Sequence, residues 1–353
     1  MIQSKKYVRQ ISRPTPDTAA RADYFRFDRN ERTTLFSEEE FQGMLATLTP
    51  YDFVAYGELE PFYLKITKWL NIDRDNILLT SGSDMGIKTI FETFIEGDDK
   101  VLVTLPNYAM FSIYTRMFGG VELINWYNKD LTLDVDSLLA NITEDIKLII
   151  ISNPGHSGKT VSESDLLRLI KKAKDQNSII VIDEAYYHFY NNTMLKYINE
   201  FDNLIITRTF SKAFGLASLR IGMLIACKSM IDELYRVKLI HEITGVAAKI
   251  GTYMLDHMNI VEDYVDNVNK GKSVLYNRMA ELGIQVFESD SNFVFFRIPD
   301  PIKAKGLTKF LEKKNMYIKG PFTDNCLDGL HRVSVGDAEQ MELFCKELEN
   351  YYK

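Results

Sequence analysis

Residues 179–186 read Ile-Ile-Val-Ile-Asp-Glu-Ala-Tyr, four β-branched residues in a row closed by two carboxylates. A strand covered on one face alternates apolar and polar residues, and a strand covered on both faces does not, so this run reads as a central strand of a parallel sheet. The same pattern recurs at 77–80 (ILLT), 101–104 (VLVT), 147–152 (KLIIIS), 203–207 (NLIIT) and 221–226 (IGMLIA), with a more polar version at 121–124 (VELI). Helical or loop connections separate these runs, which predicts an α/β fold with a mostly parallel seven-stranded sheet. One pair breaks the rule. The runs ending at 207 and starting at 221 are separated by only 13 residues, too few for a helical crossover, so they are expected to run antiparallel.

Outward from the sheet, residues 1–36 are polar and Arg-rich, with Pro14 and Pro16, and read as an extended arm. Ser37 before Glu38, Glu39 and Glu40 is a helix N-cap with carboxylates in the first turn, and the helix should run to about Leu48. A second helix is expected over 60–70, with Phe62, Ile66, Trp69 and Leu70 on its apolar face. Residues 229–281 are strongly helical, and a long amphipathic segment over 260–282 could bridge two domains. From 284 the rhythm changes to short strands at 284–288, 292–298, 316–320 and 331–335 with helices at 302–314 and 337–352, a small α+β domain. The expected division is an arm and first helix over 1–44 that contributes to the small domain, a large domain over 45–265, and a small domain over 266–353.

With 353 residues the chain exceeds what one core usually serves. A composition 46% apolar and 26% charged excludes disorder, and a net charge of −7 argues against a nucleic-acid partner. Cys227, Cys326 and Cys345 have neither CxxC nor Cys/His spacing, so no disulfide framework and no metal site is expected, and a reducing cytoplasm fits. The N-terminus lacks an apolar signal segment, and no run approaches the roughly 18 apolar residues of a membrane span.

Ligands of open α/β sheets bind beyond the carboxyl ends of the strands, which selects five fragments. Thr80-Ser81-Gly82-Ser83-Asp84-Met85-Gly86 opens a helix with small residues, leaving N–H groups free to face a phosphate. Pro106-Asn107-Tyr108 sets an aromatic face over the same crevice, and 152–158 (SNPGHSG) is a polar turn. Asp183 ends an apolar strand, where a carboxylate needs a cation or donors. The stretch 205–222 (IITRTFSKAFGLASLRIG) supplies Lys212 among Thr209, Ser211 and Arg220. Together they meet the needs of a pyridine aldehyde phosphate: a phosphate cradle, a stacking aromatic, an anion at the ring nitrogen, donors to the phenolic oxygen and an imine-forming lysine.

The chain resembles the fold-type I pyridoxal-phosphate aminotransferases, most closely the histidinol-phosphate aminotransferase-like branch. The likeness covers roughly residues 25–345 and is strongest in VIDEAYYHF (181–189), RTFSKAFGLASLRIG (208–222) and HRVSVG (331–336). It implies pyridoxal 5′-phosphate as cofactor, with Lys212 as its Schiff-base lysine, Asp183 at the ring nitrogen, Tyr186 at the phenolic oxygen and Tyr108 stacked on the ring. Ser83, Asp84, Thr209, Ser211 and Arg220 fall in the phosphate-binding segments. Tyr56 would reach the phosphate of the neighbouring subunit in a homodimer. Arg332 would pair with the substrate carboxylate, and Asn30, in the polar knot at 27–32, would line the same pocket. The family's Asn-Pro-Asn-Asn-Pro-Thr-Gly turn is one residue shorter here, so the second donor to the phenolic oxygen falls on His156 by one alignment and on Asn153 by another. Lys319 stands where relatives place an arginine for a substrate phosphate, and VKLIHEITG (237–245) replaces a Pro-aromatic segment. The implied activity is ping-pong amino transfer, in amino-acid biosynthesis, between an amino-acid or amino-phosphate donor and a 2-oxo acid. Decarboxylation of a phosphorylated amino acid on the same cofactor is the rival, and a catalytically silent cofactor-binding module is the third reading.

Overall fold

The structure, a computed structural model, describes residues 2–12 and 21–352 of the chain. Pro14 and Pro16 of the expected arm lie outside the described residues. In chain order the strands are β1 (Phe25–Arg26), β2 (Ile77–Ser81), β3 (Lys100–Leu105), β4 (Val121–Trp126), β5 (Ile146–Ser152) and β6 (Ile179–Asp183). There follow β7 (Leu204–Thr209), β8 (Ile221–Ala226), β9 (Gln285–Phe287), β10 (Phe293–Arg297), β11 (Met316–Tyr317) and β12 (Leu330–Ser334).

Strands β2 to β8 form one seven-stranded sheet in the order β2-β8-β7-β6-β5-β3-β4. β8 runs antiparallel to β2 and β7, as the short connection requires, and the other pairs are parallel. Both faces are covered. Along β6, Ile180 and Ile182 join one hydrophobic cluster and Val181 the other, and all three are buried. Each such isoleucine contributes about 1.5–3 kcal/mol on burial, which is why these runs tolerate no polar alternation. At the β4 edge the covering thins, and Val121, Ile124 and Trp126 are exposed.

Ser37 caps α1 (Glu38–Ala46) with a reciprocal pair: Glu40 N–H donates to Ser37 Oγ at 3.2 Å and Ser37 N–H to the Glu40 carboxylate at 2.6 Å. The helix ends at Ala46, short of Leu48. Thr47 Oγ1 donates to Met44 O at 2.7 Å, and Pro50 biases the residue before it away from the helix. α2 (Tyr51–Val54) and α3 (Glu60–Leu70) follow, then α4 (Gly82–Phe94) and α5 (Ala109–Met117) on the β2 and β3 ends. Within α3, Phe62, Tyr63, Ile66 and Thr67 are buried.

β9, β10 and β12 make a second, antiparallel sheet in the order β12-β10-β9. Helices Pro301–Glu312 and Ala338–Tyr352 pack with it, and the long helix Met258–Glu281 lies along Ala338–Tyr352. β1 pairs in parallel with β11, Phe25 opposite Met316, so the N-terminal segment joins this smaller unit. The first residues go elsewhere: Tyr7 packs against Gly97 and Gly119, beside α5. Among the described residues no helix is long and apolar enough to cross a membrane.

Candidate active site

The sheet register assembles the first part of the site. Ser152, Asp183 and Thr207 are cross-strand neighbours at the ends of β5, β6 and β7. Asp183 is buried, and its Oδ1 accepts from Thr207 Oγ1 at 2.6 Å while Ser152 Oγ lies 3.3 Å from Oδ2 and 2.8 Å from Asn107 Oδ1. Burial pushes the Asp183 carboxyl up, and the two hydroxyls and the Ala185 N–H oppose the shift. It makes no ion pair among the described residues.

Lys212 sits on the loop after β7, anchored by Phe210 and Phe214, which bracket it in sequence and whose buried rings stack on each other at 4.0 Å. Gly215 has φ +73°, and the Arg32 side chain occupies the place a Cβ would take, which fixes the end of the loop. Lys212 Nζ donates to Arg29 O at 3.3 Å and lies 5.6 Å from the centre of the Tyr186 ring. Burial, reinforced by the Arg332 guanidinium, lowers the ammonium pKa to about 8.

Tyr186 is buried, and its hydroxyl accepts from Asn30 Nδ2 at 2.9 Å, which leaves its own proton to be given elsewhere. Asn30 is held in turn by Ser334, whose Oγ accepts Asn30 N–H at 2.8 Å and lies 3.1 Å from Asn30 Oδ1. Asn30, expected among substrate groups, therefore has its amide engaged by Tyr186 and Ser334. The His156 ring stands edge-on to Tyr186 at 5.7 Å and nearly parallel to Tyr108 at 6.1 Å. Its Nδ1 is buried without a hydrogen-bond partner, and burial, then Arg332 and Lys212, hold it neutral with a pKa of about 3. Asn153 instead receives the Val161 N–H at 2.8 Å on its side-chain oxygen.

A second group gathers where β8 meets α4. A Cβ on Gly222 would run into the backbone of Gly82 and Ser83, and a Cβ on Gly82 (φ +74°) into the Arg220 guanidinium. Strand and helix start thus touch backbone to backbone, with Arg220 laid over the first turn of α4 and Nη1 donating to Ala217 O at 3.3 Å. Thr209 Oγ1 lies 2.9 Å from Ser211 Oγ and accepts Ser211 N–H at 3.1 Å. The free N–H groups at the start of α4, these hydroxyls and Arg220 are anion-binding chemistry. The Asp84 carboxylate accepts from Tyr114 Oη at 3.0 Å and is also a hydrogen-bond partner of the Tyr108 hydroxyl. Burial and the Asp84 carboxylate push the Tyr108 hydroxyl pKa up.

Arg332, on β12, exchanges both backbone hydrogen bonds with Lys319 (3.0 and 2.8 Å), an arrangement that puts the two side chains on one face. Its Nη2 donates to Asp28 O at 2.9 Å, its Nε is buried without a partner, and Lys319 is exposed. Tyr56 is 79% exposed and stacks on His241 at 4.0 Å; both line, with Ser81, Ser218 and Arg220, a cavity of about 680 Å³. Ser152 and Thr207, which serve Asp183, and Asn107, which accepts from Ser152, were given no role in the sequence analysis. The signal for Ser152 and Thr207 was a hydroxyl ending each neighbouring apolar run.

Residues 55–348 match the aminotransferase class I and II family. The chain belongs to this family. It is 30% identical over 333 residues to the histidinol-phosphate aminotransferase of Clostridium novyi (strain NT), covering 92% of each chain. It is 31% identical over 300 residues to that of Methanocaldococcus jannaschii, covering 82% of this chain and 79% of the relative. The solved histidinol-phosphate aminotransferase of Sinorhizobium meliloti, in complex with pyridoxal-5′-phosphate, superposes with a TM-score of 0.88 at 18% identity, covering 100% of this chain and 98% of that one. The L-threonine-O-3-phosphate decarboxylase of Porphyromonas gingivalis shares the fold with a TM-score of 0.77 at 20% identity, covering 92% and 98% of the two chains. As an aminotransferase of this family the chain is an enzyme with the aspartate aminotransferase-like fold, and the predicted resemblance holds.

Proposed function

We propose that this aminotransferase carries out ping-pong amino transfer on pyridoxal phosphate with Lys212, Asp183 and Tyr186 as its catalytic residues. One observation carries the assignment: a lysine with a pKa near 8 shares a cleft with a buried carboxylate that has hydroxyl partners and no ion pair among the described residues. The residues fit the cofactor by what they lack. Asp183 is a buried carboxyl without an ion-pair partner among the described residues, a place a protonated pyridine nitrogen would fill, and His156 Nδ1 is a buried polar atom in want of a partner.

When bound, pyridoxal phosphate supplies an electron sink for the pair released as the substrate Cα–H bond breaks. Asp183 holds the proton on the ring nitrogen. Tyr186, its oxygen already satisfied by Asn30, donates to the phenolic oxygen, with Asn153 or His156 beside it. Tyr108 would cover one face of the ring, and Ser83, Asp84 N–H, Thr209, Ser211 and Arg220 would hold the phosphate. Lys212, with a pKa of about 8, is partly neutral at working pH, so it serves as nucleophile and then as the base that carries the Cα proton.

Arg332 is read as the fork for the substrate carboxylate, with Lys319 on the same face for a second anion. Curated relatives named for histidinol phosphate make a phosphorylated donor one member of the class to test, beside ordinary amino acids. We further assign residues 45–265 to the cofactor domain, and 1–44 with 266–353 to the small domain. A homodimer is the proposed assembly, because Tyr56, Phe53, Val54 and Ile240 are large, apolar or aromatic, and exposed. Three free cysteines fit a reducing cytoplasm.

The test is a donor screen on purified protein. Absorbance follows conversion of the aldehyde form to the amine form, and carbon dioxide release is followed in parallel. Keto-acid product without carbon dioxide supports the assignment; carbon dioxide without keto acid selects the decarboxylase. Cofactor colour unchanged in Lys212→Ala would remove Lys212 from its role.

A further inference from the structure

Strand alternation divides the residues around Asp183 between two sides of the sheet. Asp183 and Thr207 point into the cleft, whereas Glu184 and Arg208 point to the reverse side, where Arg208 Nη2 donates to Glu184 Oε2 at 2.8 Å. On that side lies a cavity of about 410 Å³, lined by Trp69, Tyr187, His188 and Val265, with Glu262 and Asp266 at its edge. Nothing in the amino-transfer reaction uses it.

Its chemistry is specific in three respects. First, its sign is negative. Both oxygens of Glu184 are engaged by Arg208 and Thr193, so that pair cancels. Glu262 and Asp266, one turn apart on the helix Met258–Glu281, are exposed and form no ion pair among the described residues. Secondly, its walls are aromatic. Trp69 stacks on His188 with centroids 5.8 Å apart and planes 7° apart, and the Tyr187 face on the other side is already taken by Arg208 at 3.9 Å. Thirdly, a polar ring lines it. His188 is partly buried, is held neutral by burial, and makes no hydrogen bond among the described residues.

We propose that this cavity binds a small flat organic cation, an ammonium or amidinium carried on a ring, with its charge at Glu262 and Asp266, its ring on Trp69, and a donor or acceptor at His188. Aromatic faces with carboxylates at the rim are the chemistry that selects such a cation over neutral or anionic molecules of the same shape. The volume suits a single small ligand. The site also adjoins the catalytic loop. His188 stands edge-on to Phe214 at 5.1 Å, and Phe214 stacks on Phe210, the two residues that bracket Lys212 in sequence. An occupant in contact with His188 is therefore one ring away from the lysine loop.

The chain contains two tryptophans, so a Trp126→Phe background leaves Trp69 as the single indole reporter. Benzamidinium, which carries no amine able to react with the cofactor, is titrated into the holoenzyme of this variant, with benzyl alcohol as the uncharged counterpart. Benzamidinium should change Trp69 emission saturably, and benzyl alcohol should not at the same concentrations. Glu262→Gln with Asp266→Asn should weaken benzamidinium binding at least tenfold. Both carboxylates are exposed, so that variant should keep the parent's melting temperature and cofactor absorbance. No emission change, an equal response to the alcohol, or an unchanged affinity in the double variant would overturn the proposal.

Discussion

Thr207 and Asp183 lie opposite one another on neighbouring parallel strands, and the threonine hydroxyl donates to Asp183 Oδ1 at 2.6 Å. Burial favours the neutral acid, and this donor favours the carboxylate, so the hydroxyl helps keep a charge where the cofactor needs one. Thr207→Val keeps the shape and removes the donor. A hydrogen bond to a charged group contributes about 1.5–3 kcal/mol, which corresponds to roughly one to two pH units. The acid limb of kcat/KM should move to higher pH by that order. Asp183→Asn should lower kcat by about 10²-fold or more, the scale of one acid–base group. An unmoved acid limb in Thr207→Val would mean that Thr207 does not govern the charge.

Lys212 has its pKa lowered to about 8, first by burial and then by Arg332. For a lysine a lowered value means that the neutral amine appears above about pH 8 instead of above the usual range. In apoenzyme, the rate at which pyridoxal phosphate develops its bound absorbance should therefore rise through a midpoint near pH 8. Arg332→Gln removes a neighbouring positive charge, so the midpoint should move upward. A downward movement would contradict the stated cause.

Gly222 tests the contact between β8 and α4. A methyl group there meets the backbone of Gly82 and Ser83, which no flexible side chain can yield to. Overpacking of this kind costs about 1–3 kcal/mol. If the same contact shapes the phosphate cradle, Gly222→Ala should weaken pyridoxal phosphate more than pyridoxal, which lacks the phosphate. Equal loss for both, measured by absorbance titration, would mean that the contact is purely structural.

The fold was legible because the central strands are buried on both faces, so their sequences lose alternation and announce themselves; β6 and β7 are the clearest cases. The antiparallel turn of β8 was legible from chain length alone. What stayed hidden is what depends on neighbours distant in sequence. Ser152 and Thr207 are ordinary strand-end residues until the register sets them beside Asp183. Asn30 and Ser334 meet across the whole chain through side chains, and no periodicity encodes that contact. Asp84 was assigned to the phosphate through the family resemblance, and the hydrogen bond its carboxylate accepts from Tyr114 is likewise invisible in the turn's own sequence.

Asn30 offers the last test, because it couples two effects that a pair of variants can separate. Its φ is +55°, a left-handed conformation in which asparagine is tolerated and glycine is easy, while its Nδ2 donates to the buried Tyr186 hydroxyl at 2.9 Å. Asn30→Ala loses the amide and adds backbone strain of about 1–2 kcal/mol, whereas Asn30→Gly loses only the amide. Melting should therefore be lower in the alanine variant than in the glycine variant. If the amide positions Tyr186 for the phenolic oxygen, both variants should shift the absorbance pKa of the bound cofactor by the same amount and in the same direction. A cofactor spectrum identical to the parent in Asn30→Gly would show that Asn30 serves the joining of the two units and not the ring.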